Sequence, residues 1–272
     1  MENLRLWPFE TSSPTGKKED DFQAYMEFSL IENVKRPRGA VIVLPGGGYK
    51  IRAPYEGVPV AERFRAHGFQ GFTVQYHVAP YRYPQPQLDA LRAIRIVRAN
   101  AERWGVDPGQ IAILGFSAGG HLASCAAALY DELDCNVGDQ YDNVSCRPDA
   151  SIFCYTLHNI EEEYGHVGSG KSLLGEAYTQ DPALRRSLDL ENRINENTPP
   201  CFLWHTANDN AVNRKNALIY AQKMWDLGNK AELHVFPDGP HGLGLAEKNS
   251  ARSWPELAAA FLAEQCGFVN CD

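Results

Sequence analysis

The chain has no Cys-x-x-Cys pair, no apolar run long enough to cross a bilayer, no concentration of basic residues, and no repeat or low-complexity segment. Its seven cysteines, Cys125, Cys135, Cys146, Cys154, Cys201, Cys266 and Cys271, are an odd set without zinc-ligand spacing. Neither a disulfide framework nor a metal cluster is expected, and a reducing compartment fits best. A net charge of −8 excludes the concentrated basic surface that a nucleic-acid partner requires. The densest charge run, Lys17 to Asp21, is mixed in sign and reads as a solvated loop. Met1 to Glu10 lacks the basic start and apolar stretch of a secretion signal, so a cytoplasmic protein with no membrane partner is expected.

What the chain does have is a sizeable apolar content, 44% of 272 residues, enough to bury a substantial core. One large domain over residues 1–272 is expected. Short apolar, β-branched runs alternate with segments of helical period, the pattern of a mainly parallel sheet covered by helices on both faces. The clearest strands are 40–44, 71–75, 111–115, 151–155, 201–205 and 232–236. Residues 85–104 carry Leu88, Leu91, Ile94, Val97 and Trp104 at three- to four-residue steps with arginines between them, which predicts one amphipathic helix. Further helices are expected from Ser117 to Leu129, over 216–227 and over 255–265. Residues 157–200 lose clear periodicity and exceed an ordinary connection, so they are expected to form an insertion over the active-site edge.

Four motifs carry chemistry. Gly115-Phe116-Ser117-Ala118-Gly119-Gly120 follows an apolar strand and precedes an alanine-rich helix, the strand–turn–helix context in which Gly-x-Ser-x-Gly presents a nucleophilic serine. There the Ala118 N–H, at a helix N-terminus, is free to donate to an oxyanion. Pro45-Gly46-Gly47-Gly48-Tyr49 follows the strand 40–44, and consecutive glycines can aim N–H groups at one point, which makes Gly47 and Gly48 further candidate donors. By itself, a glycine run is more often a flexible turn. Asp209, in the loop after 201–205, stands where an orienting acid belongs, and equally where an aspartate caps a helix. His241, flanked by Pro240 and Gly242 beyond the strand 232–236, is poorly explained by packing, although a lone histidine is more often structural than catalytic. The order nucleophile, acid, histidine is what joins Ser117, Asp209 and His241. Gly165 to Ser172 matches Gly-x4-Gly-Lys-Ser, but the polar stretch 160–164 before it is no buried strand, so no phosphate site is expected.

On residues 44–49, Tyr76-His77-Val78-Ala79-Pro80, 115–122, the Asp209 loop and 240–245, the chain resembles the acetylesterase branch of the α/β-hydrolases, often described as acetyl-xylan-esterase-like, and more distantly hormone-sensitive-lipase-type esterases. The resemblance spans roughly residues 25 to 265. It implies an α/β-hydrolase fold and a serine carboxylesterase working through an acyl-enzyme. Its nucleophile falls on Ser117, its acid on Asp209, its base on His241 and its oxyanion loop on Gly47 and Gly48. The implied substrate is a small-molecule ester, commonly an acetyl group on a sugar or xylo-oligosaccharide, with no cofactor and no metal. Pro45 departs from the lipase-type pattern, which has histidine there, and Asn213 stands where a proline commonly follows the acid loop. Tyr49 and Tyr55 are candidate aromatic walls for a sugar, unless they pack against the insertion. The insertion, interrupted by Glu161–Glu163, Gly168, Gly170 and the charged stretch 185–197, offers no continuous apolar face for a long acyl chain.

Two alternatives remain at the level of sequence: a small-peptide serine peptidase of the same fold, and an inactive hydrolase homologue that only binds a ligand. A dienelactone-type hydrolase would need cysteine at position 117. The composition leaves room for a homo-oligomer.

Overall fold

The structure, a computed structural model, describes every residue except Ser13, Glu19, Asp20 and Glu162. Parts of the 17–21 charge run and of the Glu161–Glu163 stretch therefore lie outside the described residues. Eight strands form one sheet: β1 (Glu2–Arg5), β2 (Tyr25–Ser29), β3 (Arg38–Leu44), β4 (Gln70–Gln75), β5 (Val106–Phe116), β6 (Ala150–Cys154), β7 (Cys201–Thr206) and β8 (Ala231–Phe236), in the order β1-β2-β4-β3-β5-β6-β7-β8. The six strands expected from the sequence are β3 to β8, and they pair in parallel. β1 and β2 extend the sheet antiparallel at one edge.

β3 shows why the central strands read as unbroken apolar runs. Ala40, Ile42 and Leu44 pack into one core with Leu91, Ile94, Val97 and Leu122, while Val41 and Val43 pack into another with Phe64, Trp254 and Leu262. A strand buried on both faces has no solvent side on which to place polar residues. The helices Gln85–Ala99, Ser117–Ala128 and Lys215–Asp226 cover the first face. Val58–Ala66 and Trp254–Ala260 cover the second.

The helix expected over 85–104 is broken at Asn100, followed only by the short helix Ala101–Trp104. The Asn100 side-chain amide donates to the Ile96 carbonyl at 2.8 Å, local competition that helps explain why asparagine disfavours helix interiors. Residues 157–200 carry the helices Val167–Leu174, Ala177–Gln180 and Pro182–Ser187. Val167–Leu174 contains most of the glycine-lysine pattern. No strand feeds it, and its N-terminus is capped by His166, whose Nδ1 accepts from the Ser169 N–H at 3.1 Å. Among the described residues no helix is long and apolar enough to cross a membrane.

Because β3, β5, β7 and β8 are parallel, their C-terminal ends lie along one edge, where open α/β sheets place their chemistry. The glycine loop, Ser117, the Asp209 loop and the His241 loop follow those four ends in turn.

Candidate active site

β5 ends at Phe116 and the next helix begins at Ser117, without a connecting loop. Ser117 takes up the whole change of direction, with φ of +51°, a strained value for a residue with a side chain. The flanking glycines make the turn possible: a Cβ on Gly115 would run into the Gly119 carbonyl, and one on Gly119 would run into the carbonyls of Leu44 and Pro45. The serine thus reaches the floor of the edge with only 8% of its surface exposed.

His241 lies against it. Its Nε2 is 2.8 Å from Ser117 Oγ and its Nδ1 is 2.8 Å from Asp209 Oδ2. Burial would push the Asp209 carboxyl up. Hydrogen bonds from His205, His241 and the Val212 N–H, with the charge of His241, outweigh it and hold the group well below the usual carboxylate range. An ionised carboxylate can only accept, so His241 Nδ1 carries the proton and Nε2 is left to accept from the serine hydroxyl. Asp209 does not cap the helix that follows, which begins at Lys215 without a side-chain cap; its carboxylate closes its own loop and faces His241. Oδ1 accepts from the N–H groups of Ala211 and Val212, each at 2.9 Å, while Oδ2 faces His241. Asp238, the other aspartate nearby, accepts from Asn208 on the surface.

The glycine loop is shaped by a residue that gave no sequence signal. Glu56, 2% exposed, accepts from the Gly46 N–H at 2.8 Å and from the Tyr155 hydroxyl at 2.6 Å. Burial raises its carboxyl pKa, while Tyr155, Gly46, the charge of His241 and Tyr55 work against that rise. Gly46 is thus engaged, whereas no acceptor within the protein is found for the N–H groups of Gly47 and Gly48 among the described residues. The Gly47 carbonyl instead closes the loop by accepting from Lys50 and Ile51. Ala118 is fully buried in the first turn of its helix, where N–H groups have no intrahelical partner.

The two tyrosines part company. Tyr49, expected as a sugar wall, is corrected to a core residue. At φ of +59° it turns inward, is 1% exposed, and donates its hydroxyl to His121 Nδ1 at 2.8 Å, while His121 Nε2 bonds the Leu188 carbonyl. Burial lowers the His121 pKa to about 4, against the hydrogen bond to Leu188, so this imidazole is neutral and structural. Tyr55 is 51% exposed and lines an open cleft of about 480 Å³ with Pro59, Leu243, Leu245 and Asn249, beside the His241 loop. His205, which the sequence places only at a strand end, lies with Nε2 3.3 Å from Asp209 Oδ2. The i,i+4 spacing of His205 and Asp209 was its only trace.

The chain matches the BD-FAE family over residues 26–224. It belongs to that family. The matched range stops short of His241. Among solved structures, the acetyl ester-xyloside bifunctional hydrolase from Caldicellulosiruptor lactoaceticus is 38% identical with a TM-score of 0.90, covering 98% of this chain and 97% of that one. The acetylxylan esterase of Xylanibacter ruminicola is 30% identical over 254 residues, which are 90% of this chain and 50% of that protein. Endo-1,4-beta-xylanase B of Butyrivibrio fibrisolvens is 32% identical over 231 residues, 84% of this chain and 36% of that protein. This BD-FAE chain therefore spans only about a third to a half of those two relatives, and it has the α/β-hydrolase fold.

Proposed function

We propose that this BD-FAE chain is a serine carboxylesterase that hydrolyses short acyl esters, acetyl groups on small sugars or xylo-oligosaccharides, through an acyl-enzyme. The observation that carries the proposal is the aligned hydrogen-bonded series Ser117, His241, Asp209 at a strained strand-to-helix turn. In the first half-reaction Ser117 Oγ attacks the ester carbonyl as its proton passes to His241 Nε2. The imidazolium then gives that proton to the departing alcohol oxygen. In the second, a water attacks the acyl-serine, with His241 taking its proton and returning one to Ser117. Asp209 stays ionised and holds the imidazole in the reactive tautomer. Gly47, Gly48 and Ala118 are the donors assigned to the oxyanion.

Short acyl groups are supported by the insertion. Ser169 Oγ stands 3.7 Å from where a Gly48 side chain would begin, so the insertion narrows the space beside the glycine loop. The names of the relatives support an acetylated xylan fragment as the ester, and Tyr55 supplies an exposed ring against which a sugar face can stack. The test is labelling by a fluorophosphonate, which should modify wild-type protein at Ser117 and leave Ser117→Ala unlabelled. Equal labelling of both, or none of either, would sink the serine reading.

A further inference from the structure

Glu56 is a buried carboxylate that the reaction as written does not use. It stands against the reacting edge: a Cβ on Gly46 would meet Glu56 Oε2 at 2.7 Å, the Phe116 carbonyl at 2.8 Å and Ser117 Cβ at 3.1 Å. Its two oxygens divide their work. Oε2 takes the Gly46 N–H, and Oε1 takes the Tyr155 hydroxyl. That hydroxyl in turn accepts the Gly244 N–H at 2.8 Å, and the Gly244 carbonyl accepts from Trp254 Nε1 at 2.9 Å. Tyr155 also presents its ring to the His241 imidazole, centroids 5.0 Å apart at 69°.

We propose that Glu56 is a positioning residue: it fixes the glycine loop on one side of Ser117 and, through Tyr155, the His241 loop on the other. The proposal rests on the serine esterase reading above. A carboxylate that captures the Gly46 N–H fixes the Pro45–Gly46 peptide plane from which the glycine run starts, while the Gly46 carbonyl accepts from Ala53 and the N–H groups of Gly47 and Gly48 are left for the oxyanion. By holding Tyr155 it also sets the Gly244 N–H, three residues after the base. Both loops carry several glycines, whose backbones have no side chains to hold them, so a buried acceptor that takes up their N–H groups directly or through Tyr155 helps to fix them. The geometry required is that of the transition state, and a misplacement of about 1 Å can cost on the order of 100-fold in rate. The effect is therefore expected in kcat, with KM nearly unchanged.

The experiment measures kcat and KM for p-nitrophenyl acetate, affinity for a trifluoromethyl ketone that forms an oxyanion adduct, and Tm. It uses wild type, Glu56→Gln, Glu56→Ala, Tyr155→Phe and Ser117→Ala. Glu56→Ala should lower kcat by about 10- to 100-fold with KM changed less than about threefold, and should weaken the ketone in parallel. Glu56→Gln keeps one acceptor oxygen and should recover part of the loss. Tyr155→Phe leaves the Gly46 bond and should lose about tenfold, and its loss should not add to that of Glu56→Ala. A folded Glu56→Ala protein with wild-type kcat and wild-type ketone affinity would overturn the proposal. If Glu56→Ala does not fold, Tyr155→Phe decides, and wild-type kcat there overturns it equally. Turnover surviving in Ser117→Ala would instead mark failure of the serine esterase reading itself.

Discussion

A serine hydroxyl is a weak nucleophile at neutral pH, and only its neighbours make it otherwise. Ser117→Ala removes the attacking oxygen and little else, so kcat for a p-nitrophenyl ester should fall by roughly 10⁵- to 10⁶-fold with Tm nearly unchanged, because the three residues act as a unit. Retention of more than a few per cent of turnover would exclude Ser117 as nucleophile. Asp209→Asn preserves the shape of the loop but offers His241 a donor or a neutral acceptor where a carboxylate stood, which favours the wrong tautomer. A loss on the order of 10⁴-fold is expected, as for the corresponding change in a serine protease. Asp238→Asn, whose carboxylate accepts from Asn208 at the surface, should cost far less. Comparing the two variants under one assay tests the assignment, and the reverse ranking would transfer the role to Asp238.

Among the elements, the insertion carries a titration that can be read in stability. Asp189, buried, has its carboxyl pKa raised to about 7, chiefly by burial and then by the charges of Glu191 and Glu161, against the Ile160 N–H and Arg185. In the unfolded chain the same group titrates near its ordinary value of 3.8. Between these values the folded state holds a proton that the unfolded state has released, so stability falls as pH rises across that window and is lowest above about 7. Asp189→Asn removes the titration. Its Tm should exceed that of wild type at pH 8, and the gap should narrow steadily toward pH 4. A gap independent of pH would refute the buried-proton account. Asp209 works in the opposite sense: its depressed pKa contributes stability above the ordinary carboxyl range and loses it only in stronger acid. The elbow sets a different limit. Gly119→Ala would force a methyl group onto the Leu44 and Pro45 carbonyls, and backbone cannot step aside as a side chain can. A loss of about 1–3 kcal/mol or more is expected in urea unfolding, and a near-neutral value would mean that the elbow yields.

For the whole molecule the question is which ester fits. A lipase-like acyl groove would contribute about 0.8 kcal/mol for each methylene buried, and kcat/KM would climb steadily along an acyl series. The insertion beside Gly48 argues for the contrary outcome. With one leaving group, acetyl esters should be hydrolysed faster than octanoyl esters. A steady rise from acetyl to octanoyl would refute the short-acyl proposal. Failure to release acetate from any acetylated xylo-oligosaccharide would remove the sugar and leave the esterase.

Much of this was legible in the chain itself, because some physics is local. Strands β3 to β7 announce themselves by apolar runs buried on both faces, whereas β8, at the sheet edge, is half-exposed. Ser117 and His241 stand between glycines and prolines that mark strand ends and forbid packing as their explanation. Other features were less legible. The alternation of Met26 and Phe28 in β2 was a usable strand signal, whereas the mostly polar β1 carries almost none and is held by pairing with β2 and by Leu4 against the core. What only the tertiary structure decided concerns groups whose character is set by partners far away in sequence. Tyr49 looked like a wall and is a core residue, because a left-handed turn and His121, 72 positions on, draw it inward. Asp209 could be a cap or an orienting acid, and the fold places it short of the helix start at Lys215 and brings His241, 32 positions on, to 2.8 Å from its carboxylate. Glu56 lies in an unremarkable Pro-Tyr-Glu segment and is silent in sequence. Its oxygens find Gly46, ten positions back, and Tyr155, 99 positions on, only when the ends of β3 and β6 meet, since a buried carboxylate is defined by the donors folded around it.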